Sequence, residues 1–202
     1  MLLAVAAVVA VLVIGSTGDT QRPGGATATP SGRLAGLALT PAKPAPALAL
    51  RNYLGTPVNI DAYRGKAVLV TFLYTHCPDV CPLIASKLHT ALGQMPAAER
   101  REVQIIAVSV DPRGDTRSAV AQFLADHEMT GRMQYLVGSR SMLGPVWVRW
   151  DVASKADESN PAVIDHSALI YGIDARGRIV TLYSASFAPA DVVHDVRLLA
   201  RT

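Results

Sequence analysis

Residues 67–74, AVLVTFLY, form a run of β-branched, aromatic and aliphatic side chains with no charge in it. A strand with one wet face alternates polar and apolar residues, so an unbroken run like this one asks to be covered on both faces. It therefore predicts a central strand with helices above and below. VQIIAVSVD, residues 103–111, repeats the signal. Between the two, PLIASKLHTALGQM places Ile84, Leu88 and Leu92 on one helical face, with Pro82 at the first helical position, where a missing N–H costs nothing.

The rest of the chain continues the alternation. LALRNYLGTPVNIDAYRG reads as a short hairpin turning at Leu54-Gly55-Thr56-Pro57. Asp115 or Thr116 caps a helix running to about His127, with Val120, Phe123 and Leu124 inward. MQYLVGS is a third, shorter strand, and Pro145 to Asp151 a short helix. SALIYGID and RIVTLYSASF pair antiparallel around Ala175-Arg176-Gly177, and PADVVHDVRLLA closes the chain as a helix. The fold class is α/β, a mixed central sheet flanked by helices.

The start of the chain has a different character. Met1 to Ile14 is apolar and uncharged, shorter than the roughly 20 residues of a spanning helix. Residues 1–15 are read as a signal peptide or membrane anchor without the usual leading positive charges. Residues 16–47 are rich in Gly, Pro, Thr and Ala, with little to bury, and are read as a flexible linker ahead of a domain spanning 48–202. This layout is that of an exported or membrane-tethered protein working where thiols tend to be oxidised. The net charge is only +3, and no basic cluster is interleaved with aromatics, so nucleic acid is set aside as a partner.

The only two cysteines, Cys77 and Cys81, lie in THCPDVCP, where the first central strand hands over to its helix. Sites in open α/β folds gather at the carboxyl ends of strands. Cys81 stands at a helix start, where the dipole and unpaired N–H groups are expected to lower its thiol pKa. Cys77 is one turn earlier. The pair could close a small disulfide, act as a redox couple, or hold one soft metal such as Cu(I) or zinc. A brace across so short a loop removes little chain entropy. A structural zinc site wants a fourth ligand that the sequence does not show. A peroxidatic cysteine wants a threonine three residues before it, where this chain has Tyr74.

A soft metal needs a further ligand, and the chain has five histidines. His76 adjoins Cys77 and its side chain is expected to point elsewhere. His89 lies two turns down the helix, and His127 and His194 sit in amphipathic helices where solvated or capping roles suffice. His166 ends the polar loop ASKADESNPAVID and precedes a strand, which leaves it available.

Three motifs in order, YTHCPDVCP, IAVSVDPRGDT (106–116) and DHSALIYGIDARG (165–177), closely resemble the Sco family, also called SenC, over residues 48–202. The resemblance implies a thioredoxin-like fold, tethered to a membrane and facing out of the cytoplasm. It implies a copper metallochaperone rather than a turnover enzyme, one that helps metallate the dinuclear copper site of cytochrome c oxidase. Cys77 and Cys81 match the family's motif cysteines and His166 its late histidine, giving a site for Cu(I) and/or Cu(II). The partner would be the copper-site subunit of the oxidase or another copper carrier. Asp79 and Asp165 flank these residues and are expected in outer-shell roles. The alternative is a thiol–disulfide reductase that keeps the oxidase cysteines reduced. Two departures stand out: Arg113 comes one place early, before Gly114, and Gly144-Pro145 interrupts the helix near Pro145.

Overall fold

A computed structural model describes residues 32–152, 154–156, 164–166 and 168–202, the two three-residue stretches by their backbone alone. The expected N-terminal anchor, residues 1–15, lies outside the described residues, as does the linker up to residue 31. From Gly32 to Thr202 the chain makes one compact unit. None of the described helices is long and apolar enough to cross a membrane.

The central strand is β4 (Ala67–Leu73), with every residue buried, as an unbroken apolar run requires. It pairs in parallel with β5 (Val103–Ser109), Val70 opposite Ile106, and β5 pairs in parallel with β6 (Met133–Val137). On the other side β4 meets β9 (Leu169–Ile173) antiparallel, Thr71 opposite Ile170. β9 turns through residues 174–177 into β10 (Arg178–Ser184). The hairpin of β2 (Ala49–Asn52) and β3 (Pro57–Asn59) extends the sheet beyond β6. With β1 (Leu37–Pro44) at the far edge, the order is β1-β10-β9-β4-β5-β6-β2-β3.

Helices fill the connections. The first, α1 (Val80–Gln94), buries Cys81, Ile84, Ala85, Leu88, Ala91 and Leu92 on one stripe and packs against the last, α5 (Pro189–Leu199). A short α2 (Ala97–Arg101) leads into β5. α3 (Arg117–Asp126) is capped by Thr116, whose side chain accepts from the Ala119 N–H at 3.2 Å. α4 is Arg140–Arg149. Behind the sheet, Phe72, Trp150 and Tyr171 form an aromatic trio with ring centroids 5.3–6.0 Å apart, and the Tyr171 hydroxyl donates to the Trp150 carbonyl at 2.8 Å.

Three expectations are corrected. The linker does not run flexibly to Ala47: residues 37–44 are strand β1, antiparallel to β10. The strand is exposed along most of its length and contains two prolines, which only an edge strand tolerates, so its composition imitates a tether. What fixes it lies far away in sequence. The buried Asp195 carboxylate accepts the N–H groups of Ala35 at 2.8 Å and Gly36 at 3.0 Å. A Cβ at residue 36 would collide with Thr181 and Tyr183, so only glycine permits this approach. Second, α1 begins at Val80, so Pro82 is its third residue rather than its first. Third, α4 starts five residues before Pro145 and carries that proline within it: its buried Leu143, Val146 and Trp147 hold the helix together across the lost hydrogen bond. Of the two caps expected for α3, Thr116 serves and Asp115 does not.

Candidate metal centre

The loop from β4 to α1 brings the two cysteines together. Cys81 is the second residue of α1, fully buried, and Cys77 lies one turn back, 7% exposed. The Cys81 N–H donates to Cys77 Sγ at 3.4 Å, so an amide of the helix start points at the first sulfur. Both residues are thiols.

The expected lowering of the Cys81 pKa is not what the geometry gives. Its pKa is pushed well above the ordinary thiol range, first by the hydrogen bond it shares with the Cys77 thiol and then by burial. A hydrogen bond from the Tyr74 backbone opposes this, while the nearby charges of Cys77 and Asp115 add to it. Taking a thiolate out of water beside a second sulfur and a carboxylate outweighs the partial charge of a helix start. Cys81 is therefore a protonated thiol at neutral pH.

Asp115, the other cap candidate, has a role the sequence reading did not assign. It is buried beneath the cysteine loop, where its carboxylate accepts the Thr75 N–H at 2.7 Å and the Tyr135 hydroxyl at 2.9 Å. Burial raises its pKa, and hydrogen bonds from Ser109, Thr75 and Tyr135 limit the rise. Asp115 thus ties the cysteine loop to the loop after β5 and to β6. The signal was present in DPRGDT, a second loop motif at the carboxyl end of the next parallel strand. Gly114 of that motif sits where a Cβ would meet the Asp111 carboxylate and His76 Nδ1, so the two loops close on each other only with glycine there.

The other expected residues are placed as follows. Asp79 is exposed at the N-cap of α1 and its side chain makes no capping bond. Asp165 and His166 belong by their backbone to a small hairpin of β7 (Ser154–Ala156) and β8 (Ile164–His166), with His166 opposite Ser154. Their side chains lie outside what the structure describes. The register of β9 with β4 carries the chain start of β9 to the end of the sheet where the cysteine loop begins. Among the described residues no three His, Cys, Asp or Glu side chains cluster closely enough to hold a metal.

The remaining histidines are engaged locally. His76 is exposed, with its Nδ1 3.1 Å from Thr75 Oγ1. His89 meets the Glu128 carbonyl, His127 meets Ser86 Oγ and the Phe123 ring, and His194 meets Asp195.

The architecture defines a thioredoxin-like domain with a thiol pair at the junction of its central strand and first helix. A sequence profile of the SCO1/SenC family matches residues 41–201, and the chain belongs to that family. Among curated relatives it is 32% identical over 139 residues to the bovine (Bos taurus) mitochondrial protein SCO2 homolog, covering 67% of this chain and 52% of that protein. The chain spans between 52% and 59% of the length of the mammalian SCO2 homologues it matches. Among solved structures it resembles apo Sco1 from Thermus thermophilus, with a TM-score of 0.72 and 30% identity over 83% of this chain and 97% of that one. It also resembles Bradyrhizobium japonicum ScoI with copper bound, with a TM-score of 0.65 and 28% identity over 77% and 98%.

Proposed function

We propose that this chain is a copper metallochaperone that carries Cu(I) on Cys77, Cys81 and His166 to the dinuclear copper site of cytochrome c oxidase. The observation that carries the reading is the thiol pair itself, two soft donors one helical turn apart in a family member whose solved relative binds copper. The donor set fits the cargo, because two thiolates suit Cu(I) and an imidazole adds a borderline ligand that also tolerates Cu(II). Loading exchanges protons for metal: the protonated Cys81 releases its proton as its sulfur takes up the ion. Unloading is the reverse, with the recipient's donors replacing these sulfurs one at a time. Asp115 holds the loop that presents Cys77. The partner is the oxidase copper-site subunit or another copper carrier, met outside the cytoplasm by a protein tethered through its N-terminal segment.

The competing reading is a thiol–disulfide reductase. Such an enzyme attacks through one thiolate and can keep its second thiol buried and protonated, so Cys81 fits a resolving role there and copper binding is what separates the two readings. The test is an anaerobic Cu(I) titration of the reduced chain beside Cys77→Ser, Cys81→Ser and His166→Ala. One tight equivalent, lost in either serine variant and weakened or spectrally altered in His166→Ala, supports the three-ligand site. Binding that ignores all three changes refutes it.

A further inference from the structure

At the end of the sheet opposite the cysteines, the N-terminal ends of β4, β5 and β6 border a hollow of about 440 Å³. It is lined by Lys66, Arg100, Arg101 and Arg132, with Leu92 and Val103 as an apolar floor and Gln104 and Gly131 completing the wall. The seven residues of β4 separate it from the cysteine loop by roughly 20 Å. It is therefore a place distinct from the metal centre, and it owes nothing to the copper reading.

Four cations share this hollow, and among the described residues none of them has a carboxylate partner. The acids that flank Arg100 and Arg101 in sequence are turned elsewhere. Glu99 accepts from Arg197 Nε with both oxygens at 3.0 Å, and with Glu102 it lines a separate hollow beside α5. Two of the cations are held in place by carbonyls. Lys66 Nζ donates to Arg101 O at 2.9 Å, and an Arg100 guanidinium nitrogen donates to Met95 O at 2.7 Å and Leu92 O at 3.3 Å. Those carbonyls end α1 and α2, where cations are favoured. They orient the side chains but carry no net charge, so all four positive charges remain uncompensated. Like charges gathered round one concavity repel one another, and a bound anion removes that cost while receiving donors already in position.

We propose that this hollow is an anion site for a diphosphate-bearing ligand. The guanidinium fork matches phosphate oxygens bidentately, and Arg101 and Arg132 are exposed at the rim, able to close on a group that enters. The volume falls within the range of small-molecule sites and exceeds what a single phosphate fills. Two adjoining phosphates match four cations better than one does. The phosphates could belong to a soluble ester or to an anionic lipid headgroup.

The test titrates inorganic pyrophosphate into the full chain in detergent at about 0.15 M salt, where unspecific attraction between exposed charges is screened beyond roughly 8 Å. The expected result is one saturable site per chain, unchanged in Cys77→Ser and weakened about tenfold or more in Arg101→Gln/Arg132→Gln, which lose charge-assisted hydrogen bonds to the phosphates. Arg117→Gln, an exposed arginine on α3 away from the hollow, serves as the charge control and keeps full affinity. Absence of saturable binding, or equal loss in Arg117→Gln, overturns the proposal. Competition by short-chain cardiolipin, whose headgroup carries two phosphates, but not by phosphatidylcholine identifies the lipid source. Its failure, with pyrophosphate bound, identifies a soluble phosphate ligand.

Discussion

Tyr135→Phe deletes one oxygen from the network under the cysteine loop and leaves the ring packing in place. The Tyr135 side chain is fully buried and its hydroxyl donates to Asp115 Oδ2 at 2.9 Å, so the change removes a buried hydrogen bond to an acidic group. Such a bond contributes about 1.5–3 kcal/mol. For a domain of this size each kcal/mol moves the thermal midpoint by about 2–4 °C, which predicts a drop of about 3–12 °C. The pH dependence separates this mechanism from a plain packing defect. Burial raises the folded-state pKa of Asp115, so between its unfolded value of about 3.9 and its folded value the native state binds more protons than the unfolded one. Stability from this group is therefore full at low pH and declines as pH rises through the folded pKa. The Tyr135 bond limits that rise, so the variant extends the window upward and its deficit grows with pH. Urea denaturation of both proteins at about pH 4 and 7 reads it out. A deficit below about 0.5 kcal/mol, or one equal at both pH values, would refute the assignment of Tyr135 as a donor to an ionising Asp115.

Two further outcomes follow from the same chemistry. Because Cys81 is protonated at neutral pH, Cu(I) affinity should rise at least about tenfold per pH unit between pH 6 and 8, one proton leaving per ion bound at this sulfur alone. A chelator competition that finds a flat profile would show that Cys81 is already a thiolate. Asp195→Ala should strand the buried Tyr183 hydroxyl at a cost of roughly 1–3 kcal/mol and release the part-buried Ala35 and Gly36 amides to solvent. Hydrogen exchange at residues 35–38 would then rise ahead of the central strands, and unchanged protection there would contradict the latch.

What the sequence determined by itself is the middle of the molecule. AVLVTFLY and VQIIAVSVD had to become buried parallel strands because no arrangement with a wet face suits them. Their turn and helix signals then placed Cys77 and Cys81 at a strand end together. The helix faces of α1, α3 and α5 were legible for the same reason, since an apolar stripe at helical spacing has one way to be buried. Tertiary structure decided what depends on distant partners. An exposed, proline-bearing stretch became β1 because Asp195 and a glycine-only approach to Tyr183 receive it, contacts about 160 residues apart along the chain. The thiol pKa of Cys81 went up rather than down, because burial, a second sulfur and Asp115 converge on it in space. Local sequence supplied only the helix start. Asp115 could be read as a helix cap from its neighbours. Only the fold set it beneath the thiols, where the same carboxylate becomes a tie between loops.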